Sequence, residues 1–557
     1  MTRFVWFWCA WLALAGCGGT TQDPSEILHV RAGRVVDRNQ KPVWLRGVQF
    51  SNWPWDESAD RGPASTYADQ SDYQRAAAMG VNTIAFFLRS DQFEVDAAPY
   101  QYQESGFDWL DQNIAWAKAS GIHLILTLIT TPGSPQWQAP CDGNSVWDVP
   151  DYQERTLALW RALARRYADE PVIAGYDLLA SPIPSGPVDQ WHSLAKRLVA
   201  AIRAVDRQHM VVLEIPTGQR CEFTPTLSAA DLFRIQDPNV LYGFQAEYPW
   251  EYVAQLLPGS GLGDAGPYPD ETQFASLDWD KIEWMHNSWD STPREKNLEL
   301  KPDQTSWTLQ RFAYRVRNRD YQMAQPTMQS DRNLGKVYFD DFIVNEYDED
   351  LHFVRTVLDV DPEDISTWYL YQGYDDGTEC PDCGAVAALD SDAHQGRVSI
   401  SLSGSTAGAS LSNGTLSFPT RLNYTYELKG WIKGENSAPT GRSRFGFDFY
   451  KYNGVLPLRT RDNLALYVQS FVNWGREQRV PLYVSDFGTG RPTFSDDKGG
   501  LLWVQDMTDL FKANNCHFAY NEYRGDDYGI YPGAGDLSDP AAANQPLIDL
   551  LTRELTP

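Results

Sequence analysis

From residue 43 the chain alternates short apolar extended runs with segments whose apolar residues recur every three or four positions. That rhythm restricts it to βα units around a parallel sheet. Val43-Trp44-Leu45-Arg46-Gly47-Val48 reads as a first strand, and a second begins at Gly80-Val81-Asn82-Thr83-Ile84. Leu110, Ile114 and Ala117 mark a helical face before a third strand at His123-Leu124-Ile125-Leu126. A helix presenting Thr156, Trp160, Leu163 and Tyr167 leads to the fourth, Ile173 to Leu179. Trp191, Leu194, Leu198, Ile202 and Val205 line the next helix, so Trp191 is read as core. Strands five and six follow at Met210 to Leu213 and Val240 to Phe244.

Between about 270 and 455 the period drops to two: Phe312, Tyr314, Val316; Val398, Ile400, Leu402; Phe445, Phe447, Phe449. Ser- and Gly-rich runs such as Ser403 to Ser412 separate these stretches, which predicts an antiparallel jelly-roll-like sandwich. Barrel rhythm returns with a helix bearing Leu464, Val468, Phe471 and Trp474, then strands at Pro481 to Val484 and His517 to Tyr520. Six strands plus two make eight. The predicted fold class is therefore α/β, a (β/α)8 TIM barrel (26–262 and 456–557) with a β-sandwich (270–455) inserted after strand six.

The 47 basic and 74 acidic residues give a net charge of -27, which disfavours nucleic acid, since phosphate binding depends on Lys and Arg. Neutral sugars meet no such repulsion. At the N-terminus, Arg3 precedes the apolar run Phe4 to Leu14, too short to span a bilayer comfortably. Leu14-Ala15-Gly16-Cys17 closes it and resembles the bacterial lipobox. The resemblance implies a signal peptide (1–16), an acylated Cys17 on a short linker (17–25), and a cell-envelope location, the outer membrane given Gly18. Membrane contact is then expected through the lipid anchor only. Export permits disulfides, with Cys380 and Cys383 as one candidate pair and Cys141 and Cys221 as another. A zinc site is disfavoured because no second Cys or His pair stands at tetrahedral spacing.

Leu45-Arg46-Gly47-Val48, Gly80 to Ile84, Gly121 to Leu126, Gly175-Tyr176-Asp177-Leu178-Leu179 and Val480 to Val484 with Phe487-Gly488 together resemble glycoside hydrolase family 5, the cellulase family. Gly335 to Phe342 resembles a strand of carbohydrate-binding modules, where Asp340 and Asp341 could hold a structural calcium; no other cofactor is expected. The family resemblance implies a retaining glycosidase, with an acid/base and a nucleophile about 5 Å apart at the C-terminal ends of the strands. Its Asn-Glu-Pro triplet after strand four reads Ala180-Ser181-Pro182 here, and the strand-seven nucleophile is Asp486, one methylene short. The rim departs too: the positions of Arg, His, His, Tyr and Trp hold Ala85, Ile129, Gln245, Glu247 and Asn521.

A serine hydroxyl is too weak an acid to protonate a leaving oxygen. Losing the general acid costs on the order of 10² to 10⁴ in rate, and setting a nucleophile back by about 1 Å about 10² more. The leading expectation is a cell-surface polysaccharide-binding protein with lost or much reduced hydrolysis. Trp53, Trp55, Trp137, Trp147, Tyr248 and Trp250 are its candidate sugar platforms, with Gln245 and Asn521 as polar contacts. The alternative is an active glycosidase on a β-glucan or mannan, with Asp486 as nucleophile and Glu247 or Glu214 as relocated acid. A non-catalytic surface scaffold is the third.

Overall fold

The computed structural model describes residues 26–556 apart from 53–67, 134–142, 224–227, 276, 289–299, 302–303, 375–377, 438–440, 496 and 534–542. The signal segment, Cys17, Trp53, Trp55, Trp137 and Cys141 lie outside the described residues. No helix among those described is long and apolar enough to cross a membrane.

Eight parallel strands close into a barrel. They are β1 Arg46–Phe50, β2 Thr83–Leu88, β3 His123–Leu128, β4 Ile173–Asp177, β5 Met210–Glu214, β6 Val240–Gln245, β7 Leu482–Phe487 and β8 His517–Tyr520. The two strands after the insertion complete the ring, β7 pairing with β6 and β8 with β1. The strands are buried almost throughout because helices cover the outside and side chains fill the inside. Leu45, Ala85, Ile125, Val212, Leu241 and Tyr483 belong to one buried cluster that also takes in Leu28 and Val35. Val35 lies in an N-terminal hairpin, His29–Arg31 with Arg34–Val36, and Leu28 just precedes it, both set against the strands' N-terminal ends. There Val30 N–H donates to Asn239, just before β6, at 2.7 Å.

β1 starts three residues later than the sequence suggests. Val43 N–H is taken by Val35 of the hairpin, and Leu45 N–H by the His517 ring, so neither joins the barrel ladder. The helix Asp189–Arg203 buries Trp191, Leu194, Leu198 and Ile202 as its spacing predicts. The Trp191 indole donates to the main-chain oxygen of Glu214 at 2.9 Å, so this residue is core and braces the end of β5.

The chain divides into two compact units, one running to Pro269 and resuming at Thr460, the other Asp270–Arg459. The barrel resumes later than residue 456 because Leu458–Arg459 still pairs with Asp270–Phe274. In the second unit two antiparallel sheets enclose a core that includes Phe312, Tyr314, Val337, Phe339, Phe445 and Phe447. Cys380 and Cys383 form a disulfide. Cys221 is also disulfide-bonded. Asp340, Asp341 and Asp361 bring carboxylate oxygens within 4.8 Å of one another. Asp340 already accepts from the backbone N–H groups of His394 (2.6 Å) and Gln395 (3.3 Å), and Asp341 meets the His394 ring at 2.8 Å. Calcium takes about six to eight oxygens, so this turn is hydrogen-bonded within itself and offers only part of such a shell.

Candidate active site

At the C-terminal face, β4 to β8 each deliver a carboxyl group at or just beyond the strand end: Asp177, Glu214, Glu247, Asp486 and Glu522. No ion pair with a described Lys, Arg or His is seen for any of the five. Like charges gathered out of water favour the protonated form.

Asp177 and Glu214 are buried, 1% and 4% exposed. Burial and then the Glu214 charge hold Asp177 well above the usual carboxylate range. Glu214 is raised by burial too, but is partly relieved by the N–H of Ser181, which donates to it at 2.9 Å. Thr127 donates to Asp177 at 3.4 Å, and the Asp177 and Glu214 carboxyls are within hydrogen-bonding reach of each other. These two carboxyls form an inner pair that shares protons rather than ionising fully.

Above them lies the open part of the mouth. Ser181, Gln245, Glu247, Asp486 and Asn521 are all partly exposed. Gln245 pairs in register with Asp486, and Ala246 N–H donates to the Asp486 main-chain oxygen at 2.7 Å. This puts Glu247 beside the nucleophile position on the neighbouring strand. Burial and then the Asp486 charge push Glu247 well up, and the Asn521 amide donates to it at 3.3 Å. Asp486 is pushed up to about 7 by burial and the Glu214 charge, against the amides of Gln49 and Asn521. On its other side Glu522, 4% exposed, is pushed up to about 8 by burial, against a hydrogen bond from Ser51. Tyr528 is partly exposed on the loop after β8, within the electrostatic reach of Glu247 and Asp486.

Ser181 stands after β4 with φ 48°, and its hydroxyl is held by the Gln245 amide. The Ser181 hydroxyl and main-chain N–H are thus both engaged, and no carboxyl from β4 faces the opening. Of the two proposed acids, Glu214 lies under Ser181 and accepts its N–H, while Glu247 is partly exposed beside Asp486. Tyr248 is not an open platform: it is 6% exposed, its ring stacks on Tyr467 at 4.3 Å, and its hydroxyl is held by Asn463. Trp147 is likewise core, 8% exposed and edge-on to Trp191. Trp250 is partly exposed against the edge of Phe223.

Asp177, Glu522 and Tyr528 were not singled out from sequence. Asp177 ends the Gly175-Tyr176-Asp177 word, and strand alternation, followed one step further, would have pointed it inward with Gly175. Glu522 had no such signal, because it lies past β8 where alternation ends.

Residues 36–316 match the model of the cellulase family, glycosyl hydrolase family 5. Among individual proteins the chain is similar to a beta-xylosidase of Phanerodontia chrysosporium, 32% identical over 220 residues, covering 34% of this chain and 46% of that protein. Similarity to endoglucanase C of Acetivibrio thermocellus is 24% over 190 residues, covering 34% of this chain and 53% of the relative. The chain spans about half the length of these curated relatives. A solved glycoside hydrolase superposes with TM-score 0.48 at 13% identity, over 92% of this chain and 99% of that one. Thermotoga maritima Cel5A with mannotriose gives 0.46 at 12% identity, over 91% and 97%.

Proposed function

The chain belongs to the cellulase family, glycosyl hydrolase family 5, and from that premise we propose that its barrel mouth hydrolyses a β-linked glycan, β-glucan or mannan, with a displaced pair of carboxyls. Asp486 is the nucleophile and Glu247 the proton donor. The observation that carries this is the pair itself: two partly exposed carboxyls on adjacent strands, one pushed up to about 7 and its neighbour held well above the carboxylate range. Environments that separate two such groups set one up as base and one as acid near neutrality. Burying carboxyls together without cations is costly, and such strain is found where protons are moved.

In the proposed reaction the Asp486 carboxylate attacks the anomeric carbon while Glu247 gives its proton to the departing glycosidic oxygen. Water, deprotonated by Glu247, then releases the sugar from Asp486. The Asn521 amide bonded to Glu247 orients the acid. An aryl β-glycoside with a good leaving group tests the nucleophile without needing the acid. Turnover that disappears in Asp486→Ala supports the reading, and none by well-folded wild type on either aryl glycosides or oligosaccharides sinks it.

A second reading, glycan binding with hydrolysis lost, is favoured by Ser181, which leaves no acid on the β4 side of the mouth. In both readings the protein is exported and held to the cell envelope through Cys17.

A further inference from the structure

We propose that the substrate of the barrel mouth is a cationic glycan, a β-linked chain whose sugars carry a free amine at C2, and that Glu247, Asp486 and Glu522 select it over the neutral chain of the same linkage. This narrows the glycosidase reading above and rests on it. Family membership and the place of Asp486 on β7 mark the mouth for a glycan independently of its charges. The charges decide which glycan.

Asp486 stands between two other carboxyls. Glu247 follows β6, whose Gln245 is in register with Asp486, and Glu522 follows β8 on the other side. Asn521, the residue before Glu522, donates to Glu247 at 3.3 Å, so the end of β8 reaches across β7 to the end of β6. One hydrogen bond therefore ties together three consecutive strands and the carboxyls they carry. Glu522 is fixed from two sides: Ser51 donates to it, and Gly525 packs so closely that a Cβ there would meet its Oε1. Farther along the same loop Asp526 and Asp527 are exposed and extend the negative charge outward. The arginines of the loops after β7 and β8 serve the backbone instead, Arg491 donating to the main-chain oxygen of Gly529 and Arg524 to that of Pro532, each at 3.3 Å.

A nucleophile at residue 486 attacks C1 of the sugar, so whatever C2 carries lies one bond from the reacting carbon, beside the Asp486 carboxyl. A hydroxyl there is a weak counterpart for three carboxyls. An ammonium donates three N–H bonds and brings the positive charge that no ion pair with a described residue supplies to them. It also favours the ionised form of carboxyls that burial and their neighbours' charge hold protonated. Asp486 has the lowest value of the three and ionises first, becoming the attacking carboxylate, while Glu247 keeps the proton it must donate. At longer range the net charge of -27 draws a polycation towards the mouth and repels an acidic glycan. An N-acetylated chain lacks the charge and gains none of this.

The test compares three β-1,4-linked hexasaccharides that differ only at C2: the glucosamine hexamer, the N-acetylglucosamine hexamer and cellohexaose. Each is titrated calorimetrically into the mature full-length chain carrying the slow Glu247→Gln change, at pH 5.5, where the amine is charged. The glucosamine hexamer should bind at least tenfold more tightly than either neutral chain and lose most of that advantage in roughly 0.5 M NaCl. Repeating the titration in buffers of different ionisation enthalpy should show protons released by the glucosamine hexamer and none by cellohexaose. Adding Glu522→Gln should weaken glucosamine binding at least threefold and leave cellohexaose as it was. In the wild-type chain the acid limb of kcat should lie at lower pH on an aryl β-glucosaminide than on the aryl β-glucoside. Equal affinity for all three hexamers alongside turnover of the aryl glucoside overturns this specificity and leaves the glycosidase reading standing. Tight glucosamine binding with proton release but no turnover of any glycoside does the reverse. Calcium held by the same carboxyls in preference to the glucosamine hexamer would reassign them to a metal and also overturn the proposal.

Discussion

The main-chain N–H of Ser181 donates to the Glu214 carboxylate at 2.9 Å, so the place where the family keeps its proton donor is tied to a buried acid beneath it. Ser181 adopts φ 48°, a conformation costing a non-glycine residue on the order of 1–3 kcal/mol, and this bond helps hold it. A simple reversion is therefore expected to fail. Ser181→Glu would set another carboxyl above the Asp177–Glu214 pair, lowering Tm by several degrees without raising oligosaccharide turnover. A tenfold gain in rate would show instead that only the missing acid limits catalysis.

The roles assigned to Glu247 and Asp486 make different demands on the leaving group. Glu247→Gln should slow natural oligosaccharides by about 10² or more yet leave 2,4-dinitrophenyl glycosides much less affected, since a good leaving group needs no proton. Asp486→Ala should abolish both. The pH profile follows: activity rises as Asp486 ionises near 7 and falls at higher pH as Glu247, held further up, loses its proton. Equal losses on the two substrates would remove Glu247 from the acid role.

Stability should run the opposite way along the pH axis from that of most carboxylate-rich proteins. Asp486 and Glu522 have folded values raised to about 7 and about 8, so the folded state binds protons more tightly than the unfolded chain. Their contribution is full below the ordinary carboxylate range and is lost as pH rises through 7 to 8. Tm at pH 5.5 should exceed Tm at pH 8.5, with Glu522 alone accounting for on the order of 3 kcal/mol. Glu522→Gln should shrink the difference; a Tm that climbs steadily from pH 5.5 to 8.5 would contradict it.

Residues 270–459 have their own core and close on themselves through the Asp270–Phe274 and Leu458–Arg459 pairing. Expressed alone, this segment should give a β-type circular dichroism spectrum and one cooperative melt. A helical or unfolded spectrum would refute its independence.

Envelope attachment rests on the lipobox-like Leu14 to Cys17. Cys17→Ala should move the protein from the membrane to the soluble fraction, and the mature wild-type protein should begin at an acylated Cys17. A different mature N-terminus would end that proposal.

The sequence by itself determined the barrel, the inserted sandwich and the Ala180-Ser181-Pro182 departure from the family's triplet, because each depends on periodicity or on a word whose neighbours fix its register. Alternating periods survive in one dimension: Phe445, Phe447 and Phe449 announce a buried face wherever their sheet ends up. The tertiary structure decided what each acid meets: Glu214 accepts from the Ser181 N–H, and Glu247 lies beside Asp486 and accepts from Asn521. The same holds for Tyr248, whose ring face is taken by Tyr467, more than two hundred residues along the chain, and for Glu522, which meets Ser51 across the closure of the barrel. A carboxyl's proton affinity is set by the charges and dipoles within a few ångströms. In a closed barrel those neighbours come from strands far apart in the chain, so no local pattern can supply them.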